Sequence, residues 1–185
     1  MKIIHNSPML EILTHHRWAI PIIALLHAER GAKFVQMVNR LQLSRDALAR
    51  SLTALIEIGW VQRNAGYGHP LRPEYILTPS AAQLGAACDE LNHWLESNKL
   101  QESLLNKWSL PVLFAARSES RFTDLKRALP NITARALSSS LETLLSHDLL
   151  NVRNRRYQLT ERGLEATTHL TKINQALSNQ MFENA

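Results

Sequence analysis

Apolar side chains recur at helical spacing near the start of the chain, and they predict two consecutive helices. They are Trp18, Ile22, Leu25 and Leu26 for the first helix and Phe34, Met37, Val38 and Leu41 for the second. Pro21 lies inside the first pattern. It must occupy a first helical turn or introduce a kink, because proline lacks the N–H that a helix interior requires.

A third helix is predicted over residues 44–58. Ser44 can cap its N-terminus through the side-chain oxygen. Its apolar face consists of Leu48, Leu52 and Leu55. The connection Leu41-Gln42-Leu43 is as short as the turn of a helix-turn-helix. The pattern therefore predicts a helix-turn-helix in which residues 44–58 form the second helix.

Two short strands separated by a loop follow this helix. Gly59 is a helix stop, and the alternating residues Trp60–Arg63 predict a strand. The loop contains Gly66, Gly68, Pro70 and Pro73. Glu74–Leu77 predicts the second strand, so the two strands would form a wing. Thr78 then caps a helix that we expect to run to about Leu95.

The chain contains a second copy of this pattern. Trp18 matches Trp108 at an offset of 90, and Tyr75-Ile76-Leu77-Thr78 matches Tyr157-Gln158-Leu159-Thr160 at an offset of 82. The second copy is therefore shorter, and the difference falls in the loop before its Tyr-x-Leu-Thr motif. A repeat of this kind predicts two similar domains.

We expect an α+β, mainly helical fold with two tandem winged helix-turn-helix domains. Domain 1 covers residues 1–97 with an N-terminal helical segment, and domain 2 covers residues 98–185 with a C-terminal helix. In domain 2, Thr133 caps a recognition helix over residues 133–147, and Asn154-Arg155-Arg156 forms the tip of a tight hairpin. Thr160 caps the last helix, which we expect to reach about Leu177.

Composition adds a basic surplus to this picture. The formal net charge is +5, and residues 99–185 hold 12 Lys and Arg against 8 Asp and Glu, whereas residues 1–98 hold 9 against 8. A basic second half suits a polyanionic partner, although a surplus of this size does not by itself identify DNA. The chain shows no signal-peptide pattern and no apolar run long enough to span a bilayer, so we expect a cytoplasmic protein without membrane contact.

No pattern typical of catalysis or cofactor binding is present, so we expect no enzymatic activity and no cofactor. His15-His16 could be metal ligands, but adjacent histidines point in different directions on a helix, and no metal is expected. Cys88 could be a redox sensor, but its apolar surroundings favour a buried packing role. The tryptophans are expected to pack in the core. They are Trp18, Trp60, Trp94 and Trp108.

Several motifs resemble the HxlR type of winged-helix transcriptional regulators, within the wider MarR-like group. The most specific is Arg72-Pro73-Glu74-Tyr75-Ile76-Leu77-Thr78-Pro79, which is similar to the family's wing motif Val-Glu-Tyr-x-Leu-Thr-Pro. Arg17-Trp18 resembles the Lys-Trp that begins the family's first core helix, and the second copy keeps Lys107-Trp108. The resemblance implies a winged-helix regulator of transcription that binds double-stranded DNA.

Two departures from the family bear on assembly. The family's cysteine near the N-terminus is missing, since Cys88 is the only cysteine of the chain. Family members usually carry one such domain and act as homodimers. One chain of this protein is therefore expected to act either as a monomer equivalent to that dimer or within a homodimer of its own.

A winged helix places the helix after the turn in the major groove and its wing against phosphates or the minor groove. The expected DNA-binding residues are Arg45, Arg50, Arg63, His69, Arg72, Arg135, Ser139, Arg153, Arg155 and Arg156. Arg50 is the best candidate for a bidentate guanine contact. Because the two recognition helices differ, their half-sites should differ in sequence, and a spacing of roughly 34 Å would let one chain cover both.

Two further possibilities remain open at this stage. Tandem winged helices also occur as protein-interaction adaptors in chromosome-associated assemblies, although such an adaptor would not need an arginine cluster at a hairpin tip. A small-molecule effector is also compatible with a regulator, and the sequence does not locate a site for one.

Overall fold

The structure is a computed structural model, and it describes residues 8–66, 68–69 and 72–183. The helices are α1 (Pro8–His15), α2 (Ala19–Ala28), α3 (Phe34–Leu41), α4 (Arg45–Ile58), α5 (Ala82–Ser97), α6 (Gln101–Leu104), α7 (Ser109–Ala115), α8 (Phe122–Ala128), α9 (Ala134–Ser146) and α10 (Glu161–Glu183). The strands are β1 (Val61–Arg63), β2 (Tyr75–Leu77), β3 (Leu150–Arg153) and β4 (Arg156–Leu159). This mainly helical architecture with small antiparallel sheets confirms the predicted fold class.

Contacts divide the chain into two compact units. The first unit comprises Trp18–His93 together with the segment that begins at Gln175. The second unit comprises Trp94–Asn174 together with the segment that ends at Arg17. Each unit therefore contains one copy of the sequence repeat and a terminal segment from the other half of the chain. The boundary at residues 97 and 98 remains a prediction about the repeats.

The first unit contains the expected helix-turn-helix and wing. Ser44 caps α4, because its hydroxyl oxygen accepts a hydrogen bond from the Ala47 N–H at 3.2 Å. Gly59 ends the helix with φ at 87°, a left-handed conformation that glycine adopts without a Cβ penalty. The wing strands β1 and β2 then pair antiparallel, with Val61 opposite Leu77.

The second unit repeats this arrangement. The Thr133 hydroxyl caps α9 by accepting from the Ala136 N–H at 3.1 Å. Strands β3 and β4 pair from Leu150 opposite Leu159 to Arg153 opposite Arg156. The two residues between the strands, Asn154 and Arg155, have φ of 50° and 60°. Positive φ at both central residues is the geometry of a tight two-residue hairpin turn.

A third backbone segment joins each wing to the helices before it. In the first unit Ala32 bridges Tyr75 antiparallel, and in the second unit Ser120 bridges Tyr157 in the same way. The Ala32 N–H donates to the Tyr75 carbonyl at 3.0 Å, and the Tyr157 N–H donates to the Ser120 carbonyl at 2.8 Å. Each two-stranded wing is thereby joined by a single bridged residue to the segment immediately before the helix-turn-helix.

The core follows the predicted apolar faces. The inward leucines of the recognition helices are all buried. They are Leu48, Leu52 and Leu55 on α4 and Leu137, Leu141 and Leu144 on α9. Pro21 lies in the first turn of α2. This is the first of the two predicted alternatives, a first-turn position or a kink. Trp60 and Trp94 are buried as expected, whereas Trp18 and Trp108 are only half-buried.

The two threonines that follow the wings, Thr78 and Thr160, form different hydrogen bonds. Thr160 caps α10 as predicted, because its hydroxyl oxygen accepts from the Gly163 N–H at 3.0 Å. Thr78 does not cap a helix with its side chain, and instead its hydroxyl donates to the Gly59 carbonyl at 2.8 Å. A 3-10 turn, Pro79–Ala81, separates Thr78 from α5. The predicted Thr78 cap was therefore wrong, since the Thr78 hydroxyl bonds to the Gly59 carbonyl and α5 begins only at Ala82.

We expect Gly163→Ala to destabilise the protein more than Gly85→Ala. An added Cβ at Gly163 would clash with the Leu149 carbonyl oxygen, a backbone atom that cannot move freely. At Gly85 the same atom would meet the ends of the Leu77 and His27 side chains, which can rotate away. Overpacking of this kind costs about 1–3 kcal/mol. Urea unfolding of both variants measures the difference, and equal free energies of unfolding would contradict the close approach at Gly163.

Candidate nucleic-acid interface

Helix α4 exposes the side chains expected to face the groove. Arg45 and Arg50 are both exposed, on the side opposite the buried leucines. Arg45 begins the helix, and its guanidinium carbon lies 5.4 Å from the centre of the Phe34 ring, within the range of a cation–π contact. Arg50 forms no ion pair with any described residue. Arg50 is thus the more available of the two for a partner.

The first wing holds its expected basic residues on β1 and in the loop after it. Arg63 ends β1, and its guanidinium carbon lies 5.3 Å from the centre of the Tyr75 ring, opposite it in the sheet. His69 and Arg72 are exposed in the loop. This loop is built from successive turns, since the His69 N–H donates to the Gly66 carbonyl and the Arg72 N–H donates to the His69 carbonyl, each at 3.1 Å.

Helix α9 presents fewer charged side chains than α4, although each helix has equal numbers of basic and acidic residues. Arg135 and Ser139 are exposed as expected. Thr143, which lies farther along the same face, donates its hydroxyl hydrogen to the Ser139 carbonyl at 3.0 Å. Arg135 is the only arginine of this helix, and Glu142 adds a negative charge. The two predicted recognition helices therefore differ in the number of their charged residues as well as in sequence.

The second wing differs from its prediction in one respect. Arg153 and Arg155 are exposed, but the hairpin tip consists of Asn154 and Arg155 alone. Arg156 lies in β4, opposite Arg153, and its Nε is 3.4 Å from the Glu119 carboxylate oxygen Oε1. Placing Arg156 at the tip was wrong, because a two-residue turn continues the strand ladder through Arg156. Its charge is partly balanced within the protein.

A family model describes nearly all of this chain. The model of HxlR-like helix-turn-helix proteins matches twice, over residues 13–103 and again over residues 103–184. The chain belongs to the HxlR-like helix-turn-helix family. The double match confirms the tandem repeat and the resemblance recognised in the sequence. Comparisons with curated proteins and with solved structures found no match.

Membership in the HxlR-like family agrees with a DNA-binding regulator of transcription, and it identifies neither the operator nor the contacting residues. Sequence reasoning missed Glu119, which reduces the charge of the second wing. It also missed Glu74, whose carboxylate accepts a hydrogen bond from the Phe34 N–H at 3.2 Å and so fixes the start of α3. Neither contact could be read from a local motif, since each acid acts on a residue that is distant in sequence and brought near by the fold.

The described residues contain no group of three or more His, Cys, Asp or Glu side chains placed to hold a metal ion. His15 and His16 are in edge-to-face contact, with ring centres 5.1 Å apart. Among the helices described, none is both long and apolar enough to cross a membrane. In this HxlR-like chain Cys88 is buried in α5, as expected, and burial raises the pKa of its thiol far above the usual range.

We expect Cys88 to be unreactive in the native HxlR-like protein. Attack by a thiol requires the thiolate, and burial suppresses both its formation and its access to reagents. A coloured disulfide reagent should therefore react slowly in buffer and rapidly in concentrated urea. The control is His93→Cys in a Cys88→Ala background, which places a cysteine at an exposed position of the same helix. Comparable native rates for the two proteins would show that Cys88 is accessible.

Proposed function

We propose that this protein is a sequence-specific DNA-binding transcriptional regulator that reads a duplex with two unlike recognition helices, α4 and α9. Its wings would anchor the phosphate backbone through Arg63, His69 and Arg72 in the first unit and through Arg153, Arg155 and Arg156 in the second. A single chain carries both recognition helices, so one molecule would act as the equivalent of a homodimer of single-domain relatives. The HxlR-like family supports the general function.

The observation that best supports a DNA-contacting wing is the conformation of Arg155. Its φ of 60° lies in the left-handed region, where a residue with a Cβ is disfavoured by about 1–2 kcal/mol. Glycine is the usual residue at the second position of such a turn. The tight turn therefore places a charged side chain, in place of the usual glycine, at the exposed tip of the wing. An exposed guanidinium at a hairpin tip is well placed for phosphate.

The recognition helices support unlike half-sites. Helix α4 offers Arg50, whose guanidinium can bind guanine O6 and N7 together, whereas α9 offers Arg135 with the short polar Ser139. Helix α9 also carries the acidic Glu142, which would be repelled by phosphate. With a single arginine, the second helix would depend more on its wing for positioning.

The first test is binding to random-sequence duplex over a salt series. Each phosphate contact contributes about 0.9 to the slope of log affinity against log salt. Arg153→Ala/Arg155→Ala should therefore flatten the slope by roughly 1.8. Adding Arg156→Ala should change it less, because Arg156 is already paired with Glu119. The control, Lys99→Gln/Lys172→Gln, removes two charges outside the wing and should leave the slope unchanged.

Absence of salt-dependent binding by the wild type at low ionic strength would overturn the regulator proposal and favour the adaptor. If the wing variants have the same slope of log affinity against log salt as the wild type, other parts of the protein bind the phosphates.

Arg155→Gly and Arg155→Ala separate the charge from the backbone. Both remove the same guanidinium, so both should weaken binding to random duplex equally. Only glycine relieves the positive φ, so Arg155→Gly should be more stable in urea than Arg155→Ala by about 1 kcal/mol. Wild-type DNA affinity in Arg155→Gly would mean that the wing tip does not touch DNA.

Selection of binding sites from a random duplex library tests the recognition helices. Arg50→Ala and Arg135→Ala should each relax base preference in a different half-site, by about 1–3 kcal/mol for a bidentate contact. Arg30→Ala removes an exposed arginine outside the helix-turn-helix and should leave the selected sequence unchanged. If both variants relax the same positions, or neither does, the two helices do not read separate half-sites.

A further inference from the structure

A half-open cleft lies within the second unit, between α1 and the residues that lead into α7. Its volume is about 400 Å³, within the size range of small-molecule sites. Much of its lining comes from Glu11, Ile12, His15, His16, Lys107 and Trp108. Ile12 is 41% exposed and Trp108 is half-buried, so the cleft has an apolar floor that the described residues leave open to solvent.

The charges around the cleft favour an anion. Lys107 holds its ammonium nitrogen 5.1 Å from the centre of the Trp108 ring. The positive charge of Lys107 is the largest cause that lowers the pKa of His15, with burial and His16 adding to it. Because the charge of Lys107 opposes protonation of His15, the electrostatic potential at His15 is positive. Glu11, the one carboxylate in the lining, is engaged by the Asn131 side chain, a neutral amide that orients the carboxylate without cancelling its charge. The positive potential is therefore local to Lys107 and His15.

That engagement connects the cleft to the helix-turn-helix of the same unit. The Asn131 side-chain amide donates to the Glu11 carboxylate oxygen Oε2 at 3.3 Å. Asn131 also lines the cleft, and it lies in the turn between α8 and α9, two residues before the Thr133 cap. A molecule held beside Glu11 would therefore act directly on the turn that sets the start of the recognition helix.

We propose that this cleft binds a small organic anion with a flat apolar body, such as an aromatic carboxylate. Its carboxylate would lie near Lys107 and His15, and its ring would cover Ile12 and the exposed part of Trp108. Occupancy would alter the contact between Glu11 and Asn131 and thereby change how α9 presents Arg135 and Ser139. This last step rests on the proposed DNA binding, whereas the binding site itself does not.

The test is a titration of the full chain with benzoate as the probe, followed by the amide resonances of Lys107, Trp108 and Asn131. Benzamide has the same ring without the charge, and acetate has the charge without the ring. We expect saturable shifts with benzoate and weaker binding of both analogues. Lys107→Gln should weaken benzoate binding about two- to fivefold, the usual range for one partly exposed ion pair.

Lys99→Gln is the matched control, because it removes an exposed lysine that does not line the cleft. Trp108→Leu tests the apolar floor, with thermal unfolding measured alongside to detect a folding defect. Since Lys107 is exposed, Lys107→Gln decides the outcome even if the tryptophan variant does not fold. Equal binding of benzoate and benzamide, no saturable shift, or equal affinities of Lys107→Gln and Lys99→Gln would overturn the proposed site.

Coupling to α9 is tested separately with duplex DNA. Saturating benzoate should change the DNA affinity of the wild type. Asn131→Ala, brought to its own saturation with benzoate, should abolish that change. An unchanged DNA affinity would refute the coupling and leave the site standing. If the protein binds no DNA, the benzoate titration still decides the site, so failure of the proposed function and failure of the cleft give different results.

Discussion

The wings depend on a pair of backbone hydrogen-bond bridges, those between Ala32 and Tyr75 and between Ser120 and Tyr157. An isolated two-stranded hairpin is only marginally stable in water, so β1–β2 and β3–β4 need further support. The bridges supply it by attaching the second strand of each wing to the segment that enters the helix-turn-helix. At the other end, Thr78 and Thr160 donate their hydroxyls to the Gly59 and Asp148 carbonyls. Wing and recognition helix are thereby fixed to each other within each unit.

Local chemistry made most of the fold predictable. Ser44 and Thr133 were identified as caps because a side-chain oxygen before an apolar helical pattern has one common use, and Gly59 because a helix end often needs positive φ. The bridges escaped prediction, since a single paired residue leaves no alternating pattern. The Arg156 pair with Glu119 and the Thr78 hydroxyl bond also depend on residues brought together only by folding.

The same limit applies to the candidate interface. Exposure of Arg45, Arg50 and Arg135 follows from helical periodicity and needed only the positions of the buried leucines. Helical periodicity does not show which arginines are free to bind DNA and which contact other side chains. Phe34, Tyr75 and Glu119 are distant in sequence from the arginines that they contact. Duplication has thus produced two similar frameworks whose surfaces differ. The predicted recognition helix of the first unit has two arginines where that of the second has one, and the second unit has the more compact wing.

The exchange of terminal segments makes each unit depend on distant parts of the polypeptide. Leu10 and Leu13 of α1 are buried in the unit of the second repeat, and near the other end of the chain Asn179 donates to the Gln83 side chain of the first at 3.0 Å. During synthesis, the first repeat leaves the ribosome well before the end of α10 has been made. Neither unit can close until α10 has been translated, so we expect a fragment that encodes only one of the two repeats to leave part of its core uncovered.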